Sequence, residues 1–214
     1  MTTTTANSIP EPVAGSLRTV LTGIVLGWFA LVLAAYFAGL FSNAPGAPPL
    51  QFAVSVLVPI AIFLAAYAAI PRFRAAVVAA DLALLTAVQA WRVLGGVFVV
   101  MLAFGYLPGL FAWPAGLGDV AVGLAAPFVA LAALRRPQSV TERGFAVFHW
   151  LGILDLAIAV GTGVASSGLL PGLTGSVTTA PMNAMPLVLI PGFLVPLFVI
   201  LHLAALLKVR HLKR

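Results

Sequence analysis

The sequence predicts an all-α, polytopic integral membrane protein, a bundle of six transmembrane helices with the N-terminus and C-terminus both cytoplasmic. Three observations carry that expectation. Only 7% of the 214 residues are charged while 62% are hydrophobic, too little polar surface for a chain of this size to cover itself in water. Six apolar runs are each long enough, at 1.5 Å per residue, to cross a hydrocarbon layer of roughly 30 Å. The basic residues, with one exception, fall in the N-terminal tail, in alternate loops and at the C-terminal end.

Residues 1–16, MTTTTANSIPEPVAGS, are rich in Thr and Pro without periodicity and are expected to form a disordered cytoplasmic tail. The first span, 17–41, follows with Arg18 at its start. Its apolar run of about 23 residues exceeds the roughly 7–15 of a signal peptide, so it is expected to be retained. Gly23 and Gly27 make a GxxxG in it, which in so Gly-rich a helix reads as close helix packing. The other spans are 50–70, 76–104, 108–134, 144–168 and 186–207, so that 17–207 forms one transmembrane domain. They are separated by the turn-forming stretches SNAPGAPP, PRFR, GYLPG, RRPQSVTER and GLLPGLTGSVTTAPMNA. The last of these is read as a simple connector, with a lid over an outward opening as the alternative. Residues 208–214, KVRHLKR, read as a basic cytoplasmic tail.

Orientation follows from Arg18, from Arg72 and Arg74, from Arg135, Arg136 and Arg143, and from Lys208, Arg210, Lys213 and Arg214. All lie on one side of a six-span plot, which the positive-inside rule assigns to the cytoplasm of a bacterial inner membrane. The net charge of +6 does not point to nucleic acid, because these residues sit between apolar runs and line no groove. The bilayer is the expected partner, with a homo-oligomer or a larger membrane partner as further readings. The absence of cysteine excludes disulfides and thiolate metal sites. No Walker A loop, Gly-x-Ser-x-Gly, His-Glu-x-x-His or intramembrane Schiff-base lysine appears, so an enzyme has no support.

Arg92, in the third span, Asp119 in the fourth and Asp155 in the fifth all come out near the bilayer midplane. Each such residue costs roughly 2.5–3.5 kcal/mol at a helix centre, so the three are expected to face one another. At 100° per residue Asp81, Val88, Arg92, Gly95, Gly96 and Val99 share a face, with Gln89 at its edge. Ala115, Gly116, Gly123 and Ala126 flank Asp119, and Gly152, Ala159, Thr162 and Ser166 flank Asp155, which lets neighbouring backbones approach. Should Pro114 open the fourth helix, Asp119 lies nearer the outer surface.

One arginine against two aspartates leaves a surplus negative charge, so one carboxyl is expected to be protonated or to bind a cation. A small proton-linked transporter or permease, with a small-molecule or ion substrate at Arg92, Asp119, Asp155 and Gln89, is the function this favours. Arg92 would bind an anionic group or set the charge of the carboxylates. A register-fixing ion pair in a non-catalytic accessory subunit is the structural counterpart. His149 and His202 fall at one depth near the cytoplasmic face and offer an alternative: a shared divalent metal or haem iron, although no cofactor is the primary expectation. Asp81 reads as a solvated helix-start residue, with a place beside the histidines as the alternative. Pro191-Gly192 and Pro196 predict a kink, or a broken helix of the transporter kind, in the sixth span.

Overall fold

In a computed structural model, residues 11–42, 47–170 and 172–214 are described, and among them the chain is helix and turn without a strand. The helices are α1 (Glu11–Phe37), α2 (Leu50–Ala69), the short α3 (Pro71–Ala79), α4 (Leu82–Ala103), α5 (Gly109–Arg135), α6 (Arg143–Leu169) and α7 (Ile190–Leu212). All but α3 are long and apolar enough to cross a membrane. The distribution of side chains is inverted relative to a water-soluble bundle. Leu, Val, Ile and Phe cover the outside, whereas Thr86, Gln89, Arg92, His149 and His202 are among the most buried side chains. Such an exterior suits lipid, and a polar interior is what an apolar surrounding forces.

Several boundaries differ from the sequence expectation. The first helix is described from Glu11, not Leu17. The remainder of the expected disordered tail, 1–10, lies outside the described residues. The third span starts at Leu82, not Ala76. Asp81 caps it, its carboxylate accepting from the backbone N–H of Ala83 at 2.8 Å and of Leu84 at 3.3 Å. Asp81 is thus a capping residue and does not join the histidines. The PRFR turn becomes α3, and the Arg74 guanidinium donates back to the carbonyls of Tyr67 and Ala68, closing the end of α2. At its other end α4 finishes with Gly105 at φ 73°, Tyr106 N–H bonding to Met101 O and Gly105 N–H to Leu102 O, a Schellman closure.

α5 starts at Gly109 and carries Pro114 and Pro127 inside it, so Pro114 does not open the helix and Asp119 keeps its central depth. α6 ends in a π turn over Ala165–Leu169, with Gly168 at φ 90°. In α7 the prolines occupy the opening turns, Pro191 in a π turn over Ile190–Leu194 and Pro196 at the start of the regular helix. A missing N–H costs little there, so the prolines loosen the outer half of the span, where the sequence placed a kink or a broken helix. The expected basic tail is helical through Leu212, and Lys208 donates to the carbonyl of Ala80 at 2.7 Å, tying α7 to the α3–α4 junction.

α4, α5, α6 and α7 form the inner bundle. At the end bearing the basic residues, Leu82, Ala83, Ala133, Phe145, Ala205 and Val209 pack together, and at the opposite end Phe98, Phe111, Ala115, Ala159 and Met182 do. α2 flanks α7 through Val56 and Phe63, and α1 is outermost, touching the bundle through Val25, Trp28, Phe29 and Val32. Because that aromatic side makes its contacts, Gly23 and Gly27 point elsewhere. Among the described residues a Cβ on either would meet nothing within 4 Å, so the GxxxG serves no packing among them.

The glycines of α5 do what the sequence led us to expect. A Cβ on Gly123 would lie 2.5 Å from the backbone nitrogen of Val93, and one on Gly116 2.7 Å from a methyl of Val99. Backbone cannot yield as a flexible side chain does. Gly123→Ala is therefore expected to destabilise the protein by about 1–3 kcal/mol, while Gly27→Ala changes stability by less than about 0.5 kcal/mol. Thermal unfolding in detergent reads both, and an unchanged Gly123→Ala midpoint would refute the close α4–α5 approach.

Candidate functional site

Within α4 the backbone is regular over Leu82–Ala87, tightens to a 3₁₀ helix over Val88–Gly96, and is regular again over Val97–Ala103. The buried positions follow the tightened winding. Ala83, Thr86, Gln89, Arg92, Gly95 and Phe98 are all buried, each three residues from the next. A 3₁₀ helix has three residues per turn, so Gln89, Arg92 and Gly95, which lie within the tightened stretch, fall along one line. The 100° face drawn from the sequence is corrected accordingly: Val88 and Val99 leave its centre, and Gln89, placed at its edge, joins Arg92 on it. Thr86 was missed altogether. Its signal was Thr86, Gln89, Arg92 and Gly95 at a spacing of three, which an α-helical period hides.

Arg92 sits midway along α4, and its side chain has no exposure. Its Nε–H donates to Asp119 Oδ1 at 2.7 Å and an Nη2–H to Asp155 Oδ2. The Nη1 group reaches the carbonyl of Gly152 at 3.1 Å and His202 Nε2 at 3.3 Å. Four of the five guanidinium N–H groups are thereby engaged. Glycines make room for this. A Cβ at Gly95 would collide with the Asp119 carboxylate, one at Gly118 with the Asp155 carboxylate, and one at Gly152 with the His202 ring.

The two histidines belong to the same network. His149 Nδ1 and His202 Nδ1 are 2.8 Å apart, and His149 Nε2 is 3.3 Å from Thr86 Oγ1, which lies 2.7 Å from Leu82 O. One hydrogen assignment satisfies every link. Leu82 O only accepts, so Thr86 O–H donates to it and Thr86 Oγ1 accepts from His149 Nε2–H. His149 Nδ1 is then bare and accepts from His202 Nδ1–H, which leaves His202 Nε2 bare for Arg92, a group that only donates. Both ends of the chain impose the same direction, with both imidazoles neutral. Sequence reasoning treated the histidines and the charged trio as two constellations. They form one continuous chain of bonds from the midplane to Leu82 at the basic end.

This geometry does not favour the shared metal or haem iron. The facing nitrogens bond to each other, the outer ones to Thr86 and Arg92, and the guanidinium on His202 Nε2 disfavours a second cation on that ring. Among the described residues no group of three or more His, Cys, Asp or Glu side chains could hold a metal. Gln89, the fourth residue of the expected site, does not touch the ion cluster. Its amide nitrogen lies 3.4 Å from the carbonyl of Phe198, and its Oε1 is buried without a partner.

A cavity of about 490 Å³ lies on the other side of the cluster. Asp119 lines it at mid-bundle depth, and its walls extend to Ala47, Ser167, Thr178 and Asn183 at the end opposite the basic residues. The long 168–186 connector contributes part of this wall. Thr179 is docked on the end of α6, its hydroxyl donating to Gly163 O and its N–H to Ser166 O.

Residues 47–210 match the model of a family described as a domain of unknown function (DUF8737). That match takes in α2 to α6, almost all of α7 and every residue of the network, and leaves α1 outside. No curated protein and no solved structure matches the chain.

The two kinds of bond in the cluster separate on substitution. Arg92→Leu strands two carboxylates and the His202 imidazole and is expected to cost about 3–5 kcal/mol in detergent melting. Asp155→Asn keeps an acceptor for the guanidinium, removes the surplus negative charge, and should shift stability by no more than about 1 kcal/mol. An Asp155→Asn loss as large as that of Arg92→Leu would make both carboxylates structural.

Proposed function

The chain belongs to the DUF8737 family, and from its site we propose that it is a small proton-linked permease of a bacterial inner membrane, with its basic end and both termini in the cytoplasm. The positive-inside distribution of Arg and Lys supports the orientation. One observation carries the functional reading. A cluster with one more carboxylate than guanidinium stands between a cavity on one side and a hydrogen-bonded histidine chain on the other.

In this reading Arg92 presents nothing to a ligand, because its side chain has no exposure. It fixes the positions of the two carboxylates and leaves one negative charge between them. A proton or a cationic group satisfies that charge equally well, and both at once would leave a surplus positive charge, so the two exclude each other. That exclusion is the elementary step of proton-coupled exchange. The substrate approaches through the cavity to Asp119. Proton movement on the cytoplasmic side runs through His202, His149 and Thr86: a proton taken at His202 Nε2 releases the Nδ1 proton to His149 Nδ1, which releases its Nε2 proton to Thr86 Oγ1, and the hydroxyl proton turns from Leu82 O to a water at the cytoplasmic end. For His202 to take a proton at Nε2, Arg92 Nη1 must withdraw, which links proton entry to the state of the ion cluster. The 3₁₀ winding around Arg92 gives α4 a segment able to change its pitch.

A second reading, an accessory subunit whose network only fixes helix register, draws on the near-complete engagement of Arg92. Proteoliposomes carrying a pH-sensitive dye separate the two. With wild-type protein, adding a transported solute from a chemically varied panel is expected to move protons across the membrane. Asp155→Asn, folded and reconstituted to the same level, is expected to give no solute-driven proton movement. Undiminished coupled flux in that variant would remove Asp155 from the mechanism, and no solute-driven flux from wild type would favour the accessory reading.

A further inference from the structure

The walls of the cavity specify the ligand more closely than the charge count alone. Phe52, Val56, Phe98, Phe111, Leu156 and Val160 line it, so most of what a ligand touches is hydrocarbon or aromatic ring. Among the described lining residues Asp119 is the one charged side chain. Its Oδ1 holds Arg92 Nε, and among the described residues no hydrogen-bond donor reaches its Oδ2. Polar atoms otherwise gather at the far end, on Ser167, Thr178 and Asn183.

Three ligand classes fail against this lining. An anion would need a free donor beside Asp119, and Arg92, whose side chain has no exposure, is not among the residues that line the cavity. A small inorganic cation needs about six oxygen ligands, and a single carboxylate among hydrocarbon walls does not replace its water. A neutral apolar solute fits the walls but leaves a buried carboxylate unmatched at its end. What fits is an apolar or aromatic body bearing one positive charge, with the charge at Asp119 and the rings of Phe98 and Phe111 presenting faces or edges to the body. The volume lies in the range of pockets that enclose drug-sized molecules.

We infer that the cavity binds a lipophilic monocation, a hydrophobic amine or quaternary onium ion, whose charge is paired by Asp119. The assignment rests on the permease reading above and adds its substrate class. It also gives the midplane a reason to hold two carboxylates. Asp155 completes the bonding of Arg92, so Asp119 has an oxygen to spare for the ligand.

The test compares two ions of the same shape and opposite charge, tetraphenylphosphonium and tetraphenylborate, by calorimetry on the purified full chain in detergent. Wild type is expected to bind the phosphonium saturably and at least about tenfold more tightly than the borate. Asp119→Asn should weaken phosphonium binding by about tenfold or more. Val160→Phe, which fills the cavity without touching the ion network, should weaken it as much and serves if Asp119→Asn does not fold. Equal affinity for both ions, no saturable phosphonium binding, or binding untouched by Asp119→Asn or Val160→Phe would each overturn the assignment. Any of those results together with proton flux driven by another solute, and abolished by Asp155→Asn, would leave the permease standing with a different substrate. Phosphonium binding without any solute-driven proton flux would keep the cation site and discard proton coupling.

Discussion

Arg92 carries a permanent positive charge at the middle of an apolar bundle, and the architecture around it follows from the need to compensate that charge. Arginine cannot neutralise itself by losing a proton, so the compensation must come from bonds. Asp119 and Asp155 supply two, and Gly152 O and His202 Nε2 two more. These partners arrive from α5, α6 and α7. A single side chain on α4 therefore sets how close three other helices must come and at what height. The glycines are a consequence: at Gly95, Gly118 and Gly152 a Cβ would occupy the space of a carboxylate or an imidazole that Arg92 requires.

The winding of α4 follows from the same constraint. Thr86, Gln89 and Arg92 must all face inward, toward His149, Phe198 and the carboxylates. On an α-helix positions three apart drift by about 60° per step, and six successive positions would spiral out to lipid. Three residues per turn removes the drift. Gly95 and Gly96 close the tightened segment, where close contact with Asp119 and Val120 leaves no room for side chains. The poorer hydrogen-bond geometry of a nine-residue 3₁₀ run is the cost of keeping the polar line buried.

What the sequence disclosed and what it hid divide along this line. Spans, their number and the meeting of Arg92 with Asp119 and Asp155 were legible, because intramembrane charge is so costly that composition and depth nearly determine the answer. The small residues of α5 were legible for a related reason: close approach of backbones needs them. Hidden were features set by backbone detail. Asp81 looked like one more acidic residue near a helix end, and only its bonds to Ala83 and Leu84 reveal a cap that shifts the start of α4. The prolines of α7 are identical in sequence whether they break a helix or open one. The histidines seemed remote from the charged trio because their depth near the cytoplasmic face set them apart from the midplane residues. His202 on α7 reaches both His149 and Arg92, and so joins groups that α6 alone keeps apart.

Compensation of a charge and service to a ligand are usually opposed, since a fully paired group has nothing left to offer. Here they are divided between two similar side chains. Asp155 takes an Nη2–H of Arg92 and does not line the cavity, whereas Asp119 takes the Nε–H and does. The arginine is thus held on two sides, and of its two anions Asp119 is the one that lines the cavity. On the opposite side the neutral histidine pair accepts a guanidinium N–H without adding charge. Asp119 thereby brings part of the surplus negative charge to the cavity. A second arginine, or a histidine that stayed charged, would cancel that surplus. In the permease proposed here, the neutral imidazoles matter as much as the carboxylates, because they complete the bonding of Arg92 while leaving the charge on the cavity side unbalanced.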